Sequence, residues 1–282
     1  MSEQHELFEE GFAIYVKFSK VEFSPDEVTR IEMQVAALSV LVDHLADLHR
    51  ARSYADRASQ PLVWSKLGAA QLESHLAADA IASFLAAEDP THYVTVANEA
   101  NEAEIWDVLI PFLKMARKSI KENHLDTELI YALAKTGAGT ELEEFVTSPN
   151  CANIQEIGDR SFAEGMYSAA KLMYSSINNN AKLTICHVHL GEFREAVAAA
   201  TKANAIATWK TVCWACIKAS EFKLACVSGL NVVMQPDHLD ELIGVYEQGC
   251  HFDELLSLME QGLGDESAHN GIFTELAILY SK

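Results

Sequence analysis

Apolar and small residues recur at one long interval along this chain of 282 residues. Each recurrence is an apolar position, twelve intervening residues, and a small or apolar position. The pairs are Leu38/Ala51, Leu67/Ala80, Val96/Leu109, Leu129/Leu142, Ile157/Ala170, Leu183/Ala196, Val212/Ala225 and Leu242/Leu255. Their second members advance by 29, 29, 33, 28, 26, 29 and 30 residues. Between the two members the pattern is helical, breaks at a short turn, and becomes helical again. A run of such units predicts helical hairpins. None can bury its apolar face alone, and each covers the face of its neighbour.

Trp209–Ala225 shows the unit most clearly. Val212 faces inward from the first helix, and Phe222 and Ala225, three apart, share a face of the second. Trp64–Ala80 repeats the arrangement 145 residues upstream, with Leu67 and Ala80 in the places of Val212 and Ala225. Three residues before the second anchor stand Leu48, Trp106, Tyr167, Phe193, Phe222 and Phe252, and these side chains are expected to fill the gap between paired helices. Five residues before it, Gly137, Gly165 and Gly191 suit the left-handed end of a helix. Alanine at the anchor lets two backbones approach closely.

The prolines agree with this frame. Pro25, Pro61, Pro90 and Pro236 precede helical patterns and fit the first helical turn, with Ser24 and Asp89 as caps. Pro149 sits in a Ser-Pro-Asn turn. Pro111 falls inside an apparent helix, where a kink or break is expected. No segment alternates with period two, so no strands are predicted. The fold class is therefore all-α: a right-handed superhelical solenoid of stacked hairpins, about 29 residues each.

A larger period overlies the hairpins. Thr127-Glu128-Leu129 and Thr274-Glu275-Leu276 are 147 residues apart, close to the 145 between the tryptophans. Five hairpins make one repeat, so residues 1–282 read as one continuous solenoid, with repeats at roughly 1–125 and 126–270 and the start of another at 271–282. No polar capping repeat stands at either end, which predicts an internal segment of a longer chain.

Charge and chemistry narrow the function. The net charge of -20 disfavours binding to nucleic acid or to an anionic membrane surface. The longest apolar run, near Val35–Val42, is too short to span a bilayer, so no direct membrane insertion is expected. Cys151, Cys186, Cys213, Cys216, Cys226 and Cys250 read as reduced core thiols of a cytosolic protein. Cys213 and Cys216 have C-x-x-C spacing but no second ligand pair, and they fall on a repeat helix, so they read as core. His187 and His189 point to different sides of a helix. Gly137-Ala138-Gly139 lacks the rest of a phosphate loop, His238-Leu239-Asp240-Glu241 is not a zinc motif, and there is no nucleophile elbow. The reading is a non-enzyme without cofactor. One cluster remains: Lys114, Arg117, Lys118 and Lys121 form a basic stripe at i, i+3, i+4 and i+7. It suits either an acidic partner helix or the cation-favouring end of its own helix.

Several runs are similar to the leg of the clathrin heavy-chain family. They include Glu6–Glu10, Pro61–Leu67, Met115–Lys118, Thr127–Lys135, Gly158–Arg160, Ala169–Leu172 and Phe273–Lys282, and together they span almost the whole chain. The resemblance implies a region around the knee and the start of the proximal leg, with repeats of about 145 residues. It implies a coat protein on the cytosolic face of coated pits and vesicles. Its partners would be other heavy chains, through leg contacts and a trimerising hub absent here, and a light chain. Lys114, Arg117, Lys118, Lys121 and Lys282 are its candidate light-chain contacts. Lys20–Gln34 looks longer than the family's linker, so the Leu38 hairpin is expected to be re-registered. Two alternatives are a heavy-chain-repeat scaffold of a vacuolar tethering complex and a peptide-binding tetratricopeptide solenoid. The spacings of 26–33 fit the 34-residue period of the latter poorly.

Overall fold

A computed structural model describes residues 3–19, 27–264 and 269–281. Pro25 with its cap Ser24, Lys282 and the first part of the Lys20–Gln34 segment lie outside the described residues. Within them every regular element is helical: eighteen α-helices and one π turn. The described residues form two compact units, one within 1–138 and 149–153, the other within 139–148 and 154–282.

The first unit holds α1 (Glu3–Ser19), α2 (Glu27–Ser39) with a π turn at Val40–His44, α3 (Leu48–Ala58), α4 (Pro61–Glu73), α5 (Ala77–Ala87), α6 (Tyr93–Glu102), α7 (Trp106–Ser119) and α8 (Asn123–Thr136). The second holds α9 (Gly139–Thr147), α10 (Ile154–Ala163), α11 (Tyr167–Ser176), α12 (Asn180–His189), α13 (Phe193–Ala203), α14 (Ile206–Lys218), α15 (Phe222–Val233), α16 (Pro236–Gln248), α17 (Phe252–Gly262) and α18 (Asn270–Ser281). Within each unit consecutive helices pair as hairpins and stack on the next pair, so the architecture is an all-α hairpin solenoid. Every second anchor is at most 1% exposed, as is every first anchor except Ile157, at 2%, and Leu183, which is only half-buried. In α12 the fully buried positions are Thr184 and Cys186 instead.

One backbone device closes each hairpin. Five residues before the second anchor, φ is positive at Ala46, His75, Glu104, Gly137, Gly165, Gly191, Ser220 and Cys250, between 50° and 79°. The next residue then donates its N–H to the carbonyl five positions back: Leu76 to Gln71 at 2.9 Å, Glu192 to His187 at 2.9 Å, Glu221 to Cys216 at 2.8 Å. This is the Schellman closure that satisfies the last carbonyls of the first helix. Only three of the eight positions are glycine, which is why glycine alone under-reports the pattern. At the first hairpin the bond runs from Asp47 to Leu41, six back at 3.0 Å, because the π turn holds one extra residue. Ala37 and Leu38 are both fully buried there, so the extra residue leaves Leu38 in the core.

Several expectations need correction. Pro61 and Pro236 do occupy first-turn positions. Pro90 instead lies in the turn before α6, where Asp89 accepts the Thr91 N–H at 2.9 Å. Pro111 does not break α7, which runs unbroken from Trp106 to Ser119. Pro111 and Asp107, whose carbonyl loses its helical donor, are both exposed, so water can satisfy that carbonyl. The aromatics at the second helix's first residue only partly fill the gap inside a hairpin: Tyr167 meets Phe162 of α10 edge-on at 5.2 Å, but the rings also reach the next hairpin. Phe222 is half-exposed and meets His251 edge-on at 4.8 Å, while Tyr167 stacks on His189 at 4.3 Å. Trp106 faces the ammonium of Lys135 at 5.1 Å. These rings seal the joint to the following hairpin.

The gap within a hairpin is filled by size complementarity. Gly68 in α4 faces Phe84 in α5, and a Cβ there would meet the ring at 3.0 Å. Gly158 in α10 faces Tyr174 in α11 in the same way, also at 3.0 Å. In the α14–α15 hairpin the glycine is on the second helix, and a Cβ at Gly229 would meet Leu258 of α17 at 2.9 Å and Cys213 of α14 at 3.4 Å.

Three glycine substitutions test this geometry. Gly191→Ala forces a side chain into the left-handed region and is expected to cost about 1 kcal/mol in urea unfolding. Gly244→Ala, in mid-helix with open space around it, is expected to gain about 0.5–1 kcal/mol. Gly68→Ala should cost about 1–3 kcal/mol by overpacking against Phe84. Most of that loss should vanish in a Phe84→Leu background, and additive losses would show that the two side chains do not share one space.

Candidate partner-binding sites

The basic stripe divides once side chains are placed. Its helix, α7, buries Leu109, Phe112, Leu113 and Ala116, which turns Lys114 and Lys118 outward. Lys121 lies beyond the helix end and is exposed. Arg117 instead turns inward. Its Nε donates to Asp126 at 2.7 Å and its Nη2 to the Pro149 carbonyl at 2.9 Å. Asp126, 5% exposed, also accepts the Cys151 N–H at 2.8 Å. Arg117 and Asp126 thus clasp the 149–151 segment onto α7 and α8. A buried carboxylate with a charged partner and a backbone donor is stable, and removing one partner leaves it uncompensated. A cavity of about 400 Å³ lies beside the clasp, lined by Arg117, Lys121, Asp126, Pro149, Asn150 and Cys151.

The second buried carboxylate of α8, Glu128, is held by Asn101, whose amide donates at 2.8 Å. Asn101 in turn accepts the Trp106 indole N–H at 3.0 Å. The Thr-Glu-Leu signature is therefore a packing device: Leu129 enters the core and Glu128 ties α8 to α6. Leu276 in α18 is buried at the equivalent place, 8% exposed. Trp209 is 6% exposed, while its counterpart Trp64 is only half-buried.

In the second unit, Gly158-Asp159-Arg160 supplies a polar cluster. The bare Gly158 lets Tyr174 lie against α10, and its hydroxyl donates to Asp159 at 2.5 Å. Lys182 and Gln155 donate to the same carboxylate. Burial pushes the Asp159 pKa up, but the hydrogen bonds from Lys182, Tyr174 and Gln155 outweigh it and hold the carboxyl below its usual range. A cavity of about 230 Å³ opens beside it, lined by Asp159, Phe162, Tyr174, Lys182 and Ile185.

The other chemical look-alikes resolve into packing. Cys213 and Cys216 are fully buried, and burial pushes their pKa values up to about 12 and about 11. Such thiols stay protonated and behave as small apolar groups, but Cys151 and Cys250 are exposed and so are not core thiols. His187 contacts Glu192 at 2.7 Å, on a carboxylate also held by Lys171 at 2.9 Å. Gly137 is the left-handed end of α8. Among the described residues no group of three or more His, Cys, Asp and Glu side chains is placed to hold a metal ion. None of the described helices is long and apolar enough to cross a membrane.

Comparison with known proteins places this architecture. A family model described as a region in clathrin and VPS matches residues 85–224, from α5 into α15. The chain is 47% identical over 278 residues to the clathrin heavy chain of Drosophila melanogaster, covering 99% of this chain and 16% of the relative. It is 45% identical over 276 residues to clathrin heavy chain 2 of Homo sapiens, with 98% and 16% covered. To the clathrin heavy chain of Dictyostelium discoideum it is 46% identical over 279 residues, with 99% and 16% covered. The chain thus spans about one sixth of the length of the curated relatives it matches.

Two tests separate structural cations from surface ones. Arg117→Ala should accelerate limited proteolysis within residues 148–153, whereas Lys118→Ala should leave the cleavage rate unchanged. A depressed Asp159 pKa adds stability that is present above the unfolded-state value of about 4 and is lost as pH falls through the folded value. Asp159→Asn should therefore flatten the acid limb of stability against pH below about pH 4.

Proposed function

The chain is a clathrin heavy-chain homologue over nearly its whole length, and on that premise we propose that it is a structural leg segment of a vesicle coat. What supports this reading is the joint occurrence of an all-α hairpin solenoid and 45–47% identity to clathrin heavy chains over 98–99% of the chain. The family model is shared with VPS proteins, but these relatives favour the coat over a tethering scaffold. The work is mechanical and non-catalytic. Stacked hairpins make a rod whose stiffness is set locally, because each hairpin touches only its neighbours and small rotations add along the array. The segment serves around the knee and the start of the proximal leg. It acts on the cytosolic face of coated pits and vesicles, and many weak leg-to-leg contacts summed along its length give reversible assembly.

The partners proposed are other heavy chains, which join through a hub elsewhere in the molecule and through the legs, and a light chain. For the light chain, the exposed cations Lys114, Lys118 and Lys121 form the contact, with Lys282 as a further one. Arg117, claimed by Asp126, acts behind them by fixing the adjoining segment. In a chain of net charge -20, such a local cluster is a place where an acidic partner segment is attracted.

The full-length natural chain, viewed by electron microscopy, should form three-legged particles, and compact globular particles would overturn the coat reading. For the partner site, charge reversal of Lys114, Lys118 and Lys121 to Glu should weaken light-chain binding at least tenfold at low salt. Unchanged affinity would leave the stripe as a helix end and nothing more.

A further inference from the structure

We draw no further inference here: the strongest candidate, the apolar surface of the second unit where Phe193 and Phe252 head α13 and α17 with their rings half-buried and exposed, is an apolar face with nothing in the structure to show what covers it.

Discussion

Each hairpin depends on a single residue with positive φ, placed five positions before the buried second anchor. That residue turns the chain at the end of one helix and starts the next within a few residues. The carbonyls of the first helix are closed by the following N–H, so the turn needs no side-chain partner. The count from turn to anchor is invariant, because each added residue would rotate a helical position by about 100° and move the anchor off the core face. The first hairpin shows where variation is absorbed. Its extra residue sits in the π turn at Val40–His44, upstream of Ala46, and the distance from Ala46 to Ala51 is kept.

Around this fixed turn, volume is exchanged between helices. The large side chain comes from the second helix at Phe84 and Tyr174, opposite Gly68 and Gly158. At Gly229 the space is filled chiefly by Leu258 of the following hairpin, with Cys213 of the first helix beside it. The joints between consecutive hairpins use different chemistry. Tyr93 donates to Glu122 and Lys210 pairs with Glu241, while Tyr167 and Phe222 lie against imidazole rings. These polar and aromatic ties add to an apolar core that itself crosses the joints, in the second unit from Ala196 of α13 to Leu279 of α18. This combination fits the coat leg proposed above, which would bend without unfolding.

Charge follows the same division. Arg117 and Lys118 are sequence neighbours on one helix, yet one is consumed by a buried carboxylate and the other faces solvent. A surface read from charge alone would weigh them equally. Only the exposed cations can meet a partner without disturbing the segment at residues 149–151.

The sequence by itself determined the helical class and every buried anchor except that of α12, where Leu183 is half-buried, because burial at a fixed interval must be written into residue type. The clathrin-like runs were also legible there, as was the core role of Cys213 and Cys216. Five of the eight turns were not, since Ala46, His75, Glu104, Ser220 and Cys250 adopt a conformation that their identity does not announce. The roles of Phe222, Pro111 and Arg117 likewise waited for the tertiary structure. Phe222 needed the position of His251, Pro111 needed the exposure of its face, and Arg117 needed Asp126 and Pro149 from 9 and 32 residues further along. A periodic pattern records which face of a helix is buried. What a side chain meets across a joint is set by the neighbouring hairpin, and no single hairpin's sequence contains it.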